Sequence, residues 1–476
     1  VTFTHSLACL VIALSVVGAI RWSWTQSQPI GVLVLVGVML RAILGLGLYW
    51  ISLRHLPIMR SLQLGDGFWT LALDGRTYYD SARLASEHGL ATISPTSPSP
   101  VYVELLALAL RVCGESPLTA VLLNVVAYTA ACVICISMWP PLPNDHMRRA
   151  RTLAVGALSL SPSFVLASTQ PLKDQLFGLF VVAAIACVRT GLTLARRSAP
   201  HAVWRSALTV AGAAAAVYAI GGLRAYYAMF VSLATAAVLT AITIFLPLGR
   251  WMAHLTGTAT ITAVLWIAFV AGAGPYSQPY QDVVLHALHI PSAWAVNLPS
   301  PSRWAVNLPT ASAVTLAPAN RIELAREGFV NSGGATNIVR TRRPSGSTID
   351  KLLDEAWGLM VIAVPISLMR ALSLISVSGG RGLLIVTDLD TIFIDVTLAL
   401  QLWIVFRRWS WRERDVPFLS FALSLGTVVL LLMAYVVTNY GTLFRLRLMY
   451  AIPLWLAGAA VAAGAVQADP REPKRI

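Results

Sequence analysis

The chain has 476 residues, of which 57% are hydrophobic and 12% charged, with a mean hydropathy of +0.70. Soluble globular chains carry about 25% charged residues, so this composition excludes a water-soluble fold. The formal charge of +14 would suggest nucleic acid in a soluble protein; in a membrane chain it reads as basic loops on one side of a bilayer, and no nucleic acid is expected as a partner.

The apolar residues fall in runs of roughly 16–24, the length a helix needs to cross about 30 Å of hydrocarbon. Backbone groups in that medium must be satisfied within the segment or in a closed barrel, and the alternating pattern of barrel strands is missing. The expected fold is therefore an all-α integral membrane protein with about eleven transmembrane helices, interfacial helices on one face and a long loop on the same side. In chain order the predicted spans cover 6–20, 30–53, 118–139, 152–170, 175–194, 206–223, 226–246, 256–272, 391–406, 417–438 and 449–466. The first lacks a basic leader region and a cleavage site, and reads as a membrane helix. Two shorter stretches read as interfacial: 101–113, carrying Glu104 and Arg111, and 357–377, broken by Pro365 and interrupted by Arg370. The chain then divides into N-terminal spans (1–53), a first outer loop (54–117), a membrane core (118–273), a long outer segment (274–390) and C-terminal spans with a basic tail (391–476).

Alternating the loops places Arg148, Arg149, Arg151, Arg196, Arg197, Arg205, Arg250, Arg407, Arg408, Arg412, Arg414, Arg471, Lys474 and Arg475 on one side, which is read as cytoplasmic. Of the 21 acidic residues, only Asp145, Glu413, Asp415, Asp469 and Glu472 share that side. Ionisable groups gather where a membrane protein does its work, so the working side is expected to face outward. Cys132 and Cys135 form a CxxC inside an apolar run and read as packing residues. A near-duplication, Ser292–Pro299 and Ser302–Pro309, is too short for a repeat fold and reads as a tolerated loop duplication. The Arg326–Gly334 stretch fits a lid or a linker equally well.

Four cations break the basic-side pattern: Lys173, Arg224, Arg445 and Arg447, each at the outer end of a span in a very short connection. Singly, each fits an ion pair or a side chain reaching for headgroups; together they point to a shared anionic ligand. The first outer loop supplies separated aspartates, Asp66, Asp74 and Asp80, with Asp74 preceding a surface helix over about Tyr78–His88. The alternative reading of that helix is a capped amphipathic segment whose charges face water. The Lys173-Asp174 step is wedged between two spans, a costly place unless paired or liganded. In Arg445-Leu446-Arg447 the two arginines, at i and i+2, do not share a helix face, so one is free for a ligand while the other packs.

In the order of these parts the chain resembles the GT-C glycosyltransferases, which use polyprenyl-phosphate sugars, and in particular the branch of protein O-mannosyltransferases and lipid A aminoarabinose transferases. The resemblance is carried by Asp74, Tyr78 or Tyr79 and an Ala-rich helix, by Pro100 opening an interfacial helix, by Asn124 early in a span, by Lys173-Asp174, by Arg224-Ala225-Tyr226, and by Arg445 and Arg447 before a helix with Pro453. The adjacent acidic pair of better-known branches is replaced by the separated Asp66, Asp74 and Asp80. The resemblance implies a polyprenyl-phosphate-linked sugar as donor, a glycan, lipid or protein hydroxyl as acceptor, and single displacement with inversion at the outer face of what is expected to be a bacterial cytoplasmic membrane. Asp74 is then the expected base, with Asp80 and Asp66 as successive alternatives, and Lys173, Asp174, Arg224, Tyr226, Arg445 and Arg447 are the expected substrate and phosphate contacts. No cofactor is fixed; a divalent metal is compatible, with Asp174 or His88 as a ligand. The competing readings are a flippase or exporter, to which an intramembrane Arg41 is better suited, and a polymerase or ligase of lipid-linked glycans.

Overall fold

The computed structural model describes residues 3–93, 97, 99–139, 145–194, 202–244, 248–278, 281, 347–375, 381–407, 416–438 and 440–464, together with Glu323, Arg326, Glu327, Gly328, Val330, Ile338 and Arg340. The near-duplication at 292–309 and most of the 326–334 stretch lie outside them. Helices α1 (Phe3–Gln26) and α2 (Gln28–Leu53) lead into a small hairpin, β1 (Gln63–Gly65) and β2 (Phe68–Trp69), and two further helices, α3 (Leu73–His88) and α4 (Pro100–Cys113). Then follow α5 (Pro117–Ser137), α6 (Asp145–Leu160), α7 (Pro162–Ala167), α8 (Asp174–Leu194), α9 (Ala202–Leu223), α10 (Ala225–Ile244) and α11 (Leu248–Ala273). The C-terminal part holds α12 (Thr348–Ala363), α13 (Ile366–Ala371), α14 (Arg381–Arg407), α15 (Val416–Val436), α16 (Tyr440–Leu446) and α17 (Leu448–Gly464).

The protein is an all-α multi-pass membrane protein. Among the described residues nine helical runs are long and apolar enough to cross a bilayer: α1, α2, α5, α8, α9, α10, α11, α15 and the α16–α17 run. That differs from the expected eleven at two places. The 152–170 span is not one helix: α6 has 16 residues, Ser161 leaves helical geometry with ψ 118°, and Pro162 opens the short α7. Proline lacks the N–H that would continue the ladder and pushes the residue before it out of the helical region. The 391–406 span is the later part of α14, a 27-residue helix that starts upstream and carries Asp388, Asp390 and Asp395. The 357–377 stretch likewise divides into α12 and α13 at Val364-Pro365, whereas 101–113 forms α4 as expected. Cys132 and Cys135 are fully buried free thiols.

Among the described residues the α16–α17 run is the most buried of the spans, and α17 packs against α6, α8, α14 and α15. Two buried charges hold the α6–α7 break. The Arg41 guanidinium donates to Leu158 O at 2.9 Å, Ser159 O at 3.2 Å and Gly37 O at 3.0 Å, while lying 3.7 Å above the Tyr128 ring. It thereby satisfies carbonyls that the end of α6 leaves without intrahelical partners. On the other side of the break Asp390 Oδ1 accepts from the Ser163 N–H at 2.9 Å and the Ser161 hydroxyl at 3.3 Å. In an apolar medium such backbone groups cost several kcal/mol if left alone, so the break is stable only because α2 and α14 supply these partners.

At one end of the bundle Pro and Gly punctuate the chain. Gly65, Asp66 and Gly67 all have positive φ (84°, 53° and 88°) and form the hairpin turn, with Asp66 a residue type that tolerates the left-handed region. A side chain on Gly67 would meet Tyr49 at 2.4 Å. The closing turn of α3 is covered by Arg111 of α4, which donates to Ser86 O at 2.7 Å and Ala85 O at 3.3 Å, a cation on a helix's carbonyl end. A Cβ on Gly222 would stand 2.1 Å from Val101, so the bare backbone of α9 lets α4 settle onto its end. Small residues at such contacts are how membrane helices approach closely.

Candidate functional site

Three connections converge at the end of the bundle where α3 and α4 lie. The 168–173 turn after α7 is held by Asn124 of α5, whose amide donates to Ser168 O at 3.1 Å and Gln170 O at 2.9 Å. Gln170 in turn donates to Gly67 O at 3.3 Å, tying that turn to the hairpin. Leu172 packs with Ala72 and Ala167, and Gly75 rests against the Pro171 carbonyl. This places the first turn of α3, which begins at Leu73 rather than near Tyr78, beside Lys173. Asp74 therefore sits inside that first turn, where the helix dipole favours an anion.

Asp174 opens α8 and is almost fully buried, its side chain 2% exposed. Arg224, in the one-residue joint between α9 and α10, donates through Nη2 to Asp174 Oδ1 and lies 5.2 Å over the Phe177 ring. Arg445, at the end of α16, donates through Nη1 to Asp74 Oδ2 at 3.0 Å, and its Nη2 lies 3.7 Å from Asp174 Oδ2. Lys173 Nζ donates to Ser99 Oγ at 2.5 Å, 5.7 Å from the Tyr78 ring centre. The result is a cluster of three cations, Lys173, Arg224 and Arg445, around two carboxylates, Asp74 and Asp174. Its exposure is graded: the side chains of Asp74, Arg445 and Asp174 are 53%, 21% and 2% exposed, so water and solutes reach Asp74 first. Burial, reinforced by the neighbouring Arg224 and only partly opposed by Asp174, lowers the Lys173 pKa to about 7.

Most of the other expected site residues go elsewhere. Asp66 is in the hairpin turn, 75% exposed and 3.8 Å from Arg76. Asp80 lies on the exposed side of α3, and the neighbouring charges there pair among themselves, Arg83 with Glu87 at 3.1 Å and with Glu115 at 3.5 Å. Neither aspartate reaches the cluster. Tyr226 joins it through a side-chain hydrogen bond with Arg224, and its hydroxyl also reaches Met449 Sδ at 3.3 Å. Arg447, expected as a phosphate contact, is fully buried away from it: Nη1 donates to Thr391 Oγ1 at 2.5 Å and lies 3.7 Å from Asp390 Oδ2. Two arginines at i and i+2 do point apart, and the inward one is Arg447. His88 lies at the far end of α3, against Leu84 O and Glu87; among the described residues no group of three or more His, Cys, Asp or Glu side chains is placed to hold a metal ion.

Sequence reasoning missed Ser99, the partner of Lys173, because a serine in a Pro/Ser-rich stretch reads as linker. It also missed Asp390, although a carboxylate beside an apolar run is a standing signal of a functional or structural pair. Asp354 was missed too: it is buried with Arg326, 2.8 Å away, and Arg340, 2.9 Å away, and fastens the long segment to α12. No family model, curated protein or solved structure matches the chain.

Proposed function

We propose that the protein is a membrane glycosyltransferase that moves a sugar from a polyprenyl-phosphate donor to an acceptor hydroxyl at the outer face of a bacterial cytoplasmic membrane. The observation that carries this reading is the bridging of half-exposed Asp74 and buried Asp174 by Arg445, beside Arg224 and Lys173. A carboxylate reachable from water and a partly desolvated cation cluster are the two elements that this displacement needs.

The acceptor hydroxyl is a poor nucleophile, and Asp74 takes its proton as the oxygen attacks the anomeric carbon. The bond from that carbon to the phosphate oxygen breaks on the opposite face, which inverts the centre. The leaving lipid phosphate gains a negative charge in the process. Arg445 and Arg224 neutralise it by charge-assisted hydrogen bonds, and Lys173 as a point charge, in surroundings that screen less than water. Asp174 holds the two guanidiniums apart and aimed. The acceptor, whether glycan, lipid or protein, approaches from the exposed side of α3. For a divalent metal Asp174 is the carboxylate that would help hold it, and the ion would add to the neutralisation of the leaving phosphate.

Transfer from a polyprenyl-phosphate sugar in proteoliposomes tests the proposal. Asp74→Asn should lower the rate by about 10²–10⁴-fold, while wild-type rates in that variant would remove the base and the mechanism with it. A monosaccharide on a lipid monophosphate, offered against an oligosaccharide on a lipid diphosphate, separates a transferase from a polymerase or ligase. One observation favours a second reading, a lipid-linked-glycan flippase or exporter: the α6–α7 break beside the buried charges Asp390 and Arg447, since carriers use discontinuous helices. Translocation without any acceptor, unaffected by Asp74→Asn, would select it.

A further inference from the structure

We infer that the buried pair Asp390–Arg447 is a positioning strut that sets both halves of the cation cluster from inside the bundle. Only its functional consequence rests on the glycosyltransferase reading. Asp390 stands at a junction of two paths. Through Oδ1 it holds the Ser163 N–H and the Ser161 hydroxyl, at the start of α7. Eleven residues beyond α7's start at Pro162 the chain has passed through the Asn124-bound turn and reached Lys173, with Asp174 next. Through Oδ2 the same carboxylate faces Arg447 at 3.7 Å, two residues from Arg445.

The corner between α16 and α17 has no freedom to set itself. Arg447 is anchored to α14 through Thr391 Oγ1 at 2.5 Å and Thr387 O at 3.4 Å. Met449, two residues on, is held from α10, its carbonyl by the Tyr227 hydroxyl at 2.8 Å and its sulfur by the Tyr226 hydroxyl at 3.3 Å. The pinned corner leaves Arg445 directed at Asp74 and Asp174. One carboxylate thus fixes the Lys173-Asp174 step on one side and Arg445 on the other, without touching a ligand. Asp390 and Arg447 are positioning residues, and the charges that look surplus to the surface cluster hold it in register.

The test is hydrogen exchange on the full chain in lipid nanodiscs, comparing wild type with Asp390→Asn, Arg447→Lys and Arg447→Met. Asp390→Asn should speed exchange by about tenfold in both 161–174 and 440–449, segments that do not contain the substitution, and leave 3–26 unchanged. Arg447→Met should do the same in 161–174. The double variant Asp390→Asn with Arg447→Met should show less than the product of the single effects, because both break one element. Changes confined to 381–407, or to only one of the two segments, would overturn the inference. If Arg447→Met does not fold, the conservative Asp390→Asn and Arg447→Lys variants decide it by the same criterion. Farnesyl phosphate affinity, measured in parallel, should fall about tenfold in Asp390→Asn. A wild-type protein that ignores farnesyl phosphate defeats the phosphate-site reading, and the exchange data still judge the strut.

Discussion

Arg445 and Arg447 are two residues apart and belong to two polar regions built on opposite terms. Around Arg445 the charges sit at the end of the bundle, graded from half-exposed Asp74 to buried Asp174, and the cation beyond an even count, Lys173, is fully charged only below its pKa of about 7. Around Arg447 the charges are fully enclosed, matched one to one with Asp390, and their remaining bonds go to backbone and hydroxyl groups of the α6–α7 break and α14. Arg41, on the other flank of that break, is spent entirely on backbone carbonyls and an aromatic ring. The difference teaches that intramembrane charge is not by itself a sign of ligand binding. An enclosed charge whose partners are backbone groups is holding the fold; a cluster of graded exposure at the end of the bundle is where a ligand is proposed to bind.

The comparison breaks most readily at its enclosed side. Arg41→Leu leaves the Leu158, Ser159 and Gly37 carbonyls without their donor in an apolar setting, and should lower stability by about 2–5 kcal/mol. Thermal unfolding in nanodiscs measures it, and Arg41→Lys, which keeps a donor for those carbonyls, should lose less. A stable Arg41→Leu with lost phosphate affinity would instead move Arg41 into the site.

A smaller effect sharpens the other side. With the Lys173 pKa lowered to about 7, a bound phosphate must raise it, so binding takes up a proton. Affinity should be greatest between about pH 6, below which the phosphate itself takes up a proton, and about pH 7, and fall above that by up to about tenfold per unit until the pKa of the complex is passed. Lys173→Met should weaken binding and flatten that profile; a profile equally steep in Lys173→Met would assign the titration to another group. The smallest expected effects are at the surface. Asp66→Asn and Asp80→Asn should each change stability by less than about 0.5 kcal/mol and leave transfer within about twofold of wild type. A large loss in either would transfer the role of base away from Asp74.

Much of the fold was legible because hydrocarbon imposes a length on helices, and runs such as 118–139 and 417–438 carry that length openly. The α6–α7 break was harder. Ser161-Pro162 was visible, but whether a proline kinks or ends a membrane helix depends on the distant Arg41 and Asp390, which local pattern does not supply. The cluster was legible in Lys173, Asp174, Arg224 and Arg445 because cations at the wrong end of a span are costly without partners. The choice among Asp66, Asp74 and Asp80 was not, since all three share one loop and only the 168–173 turn decides which of them meets Arg445. Nor could spacing say which arginine of the Arg445–Arg447 pair turns inward, because that is set by α14, some fifty residues earlier in the chain.

The most direct measurement is equilibrium binding of a polyprenyl monophosphate to the protein in nanodiscs, with the uncharged polyprenol as reference. Saturable binding that prefers the phosphate, and that weakens at least about tenfold in Arg445→Gln with unfolding temperature nearly unchanged, is the expected result. Equal binding of phosphate and alcohol, or full affinity in Arg445→Gln, would contradict the claim that this cluster is a phosphate site.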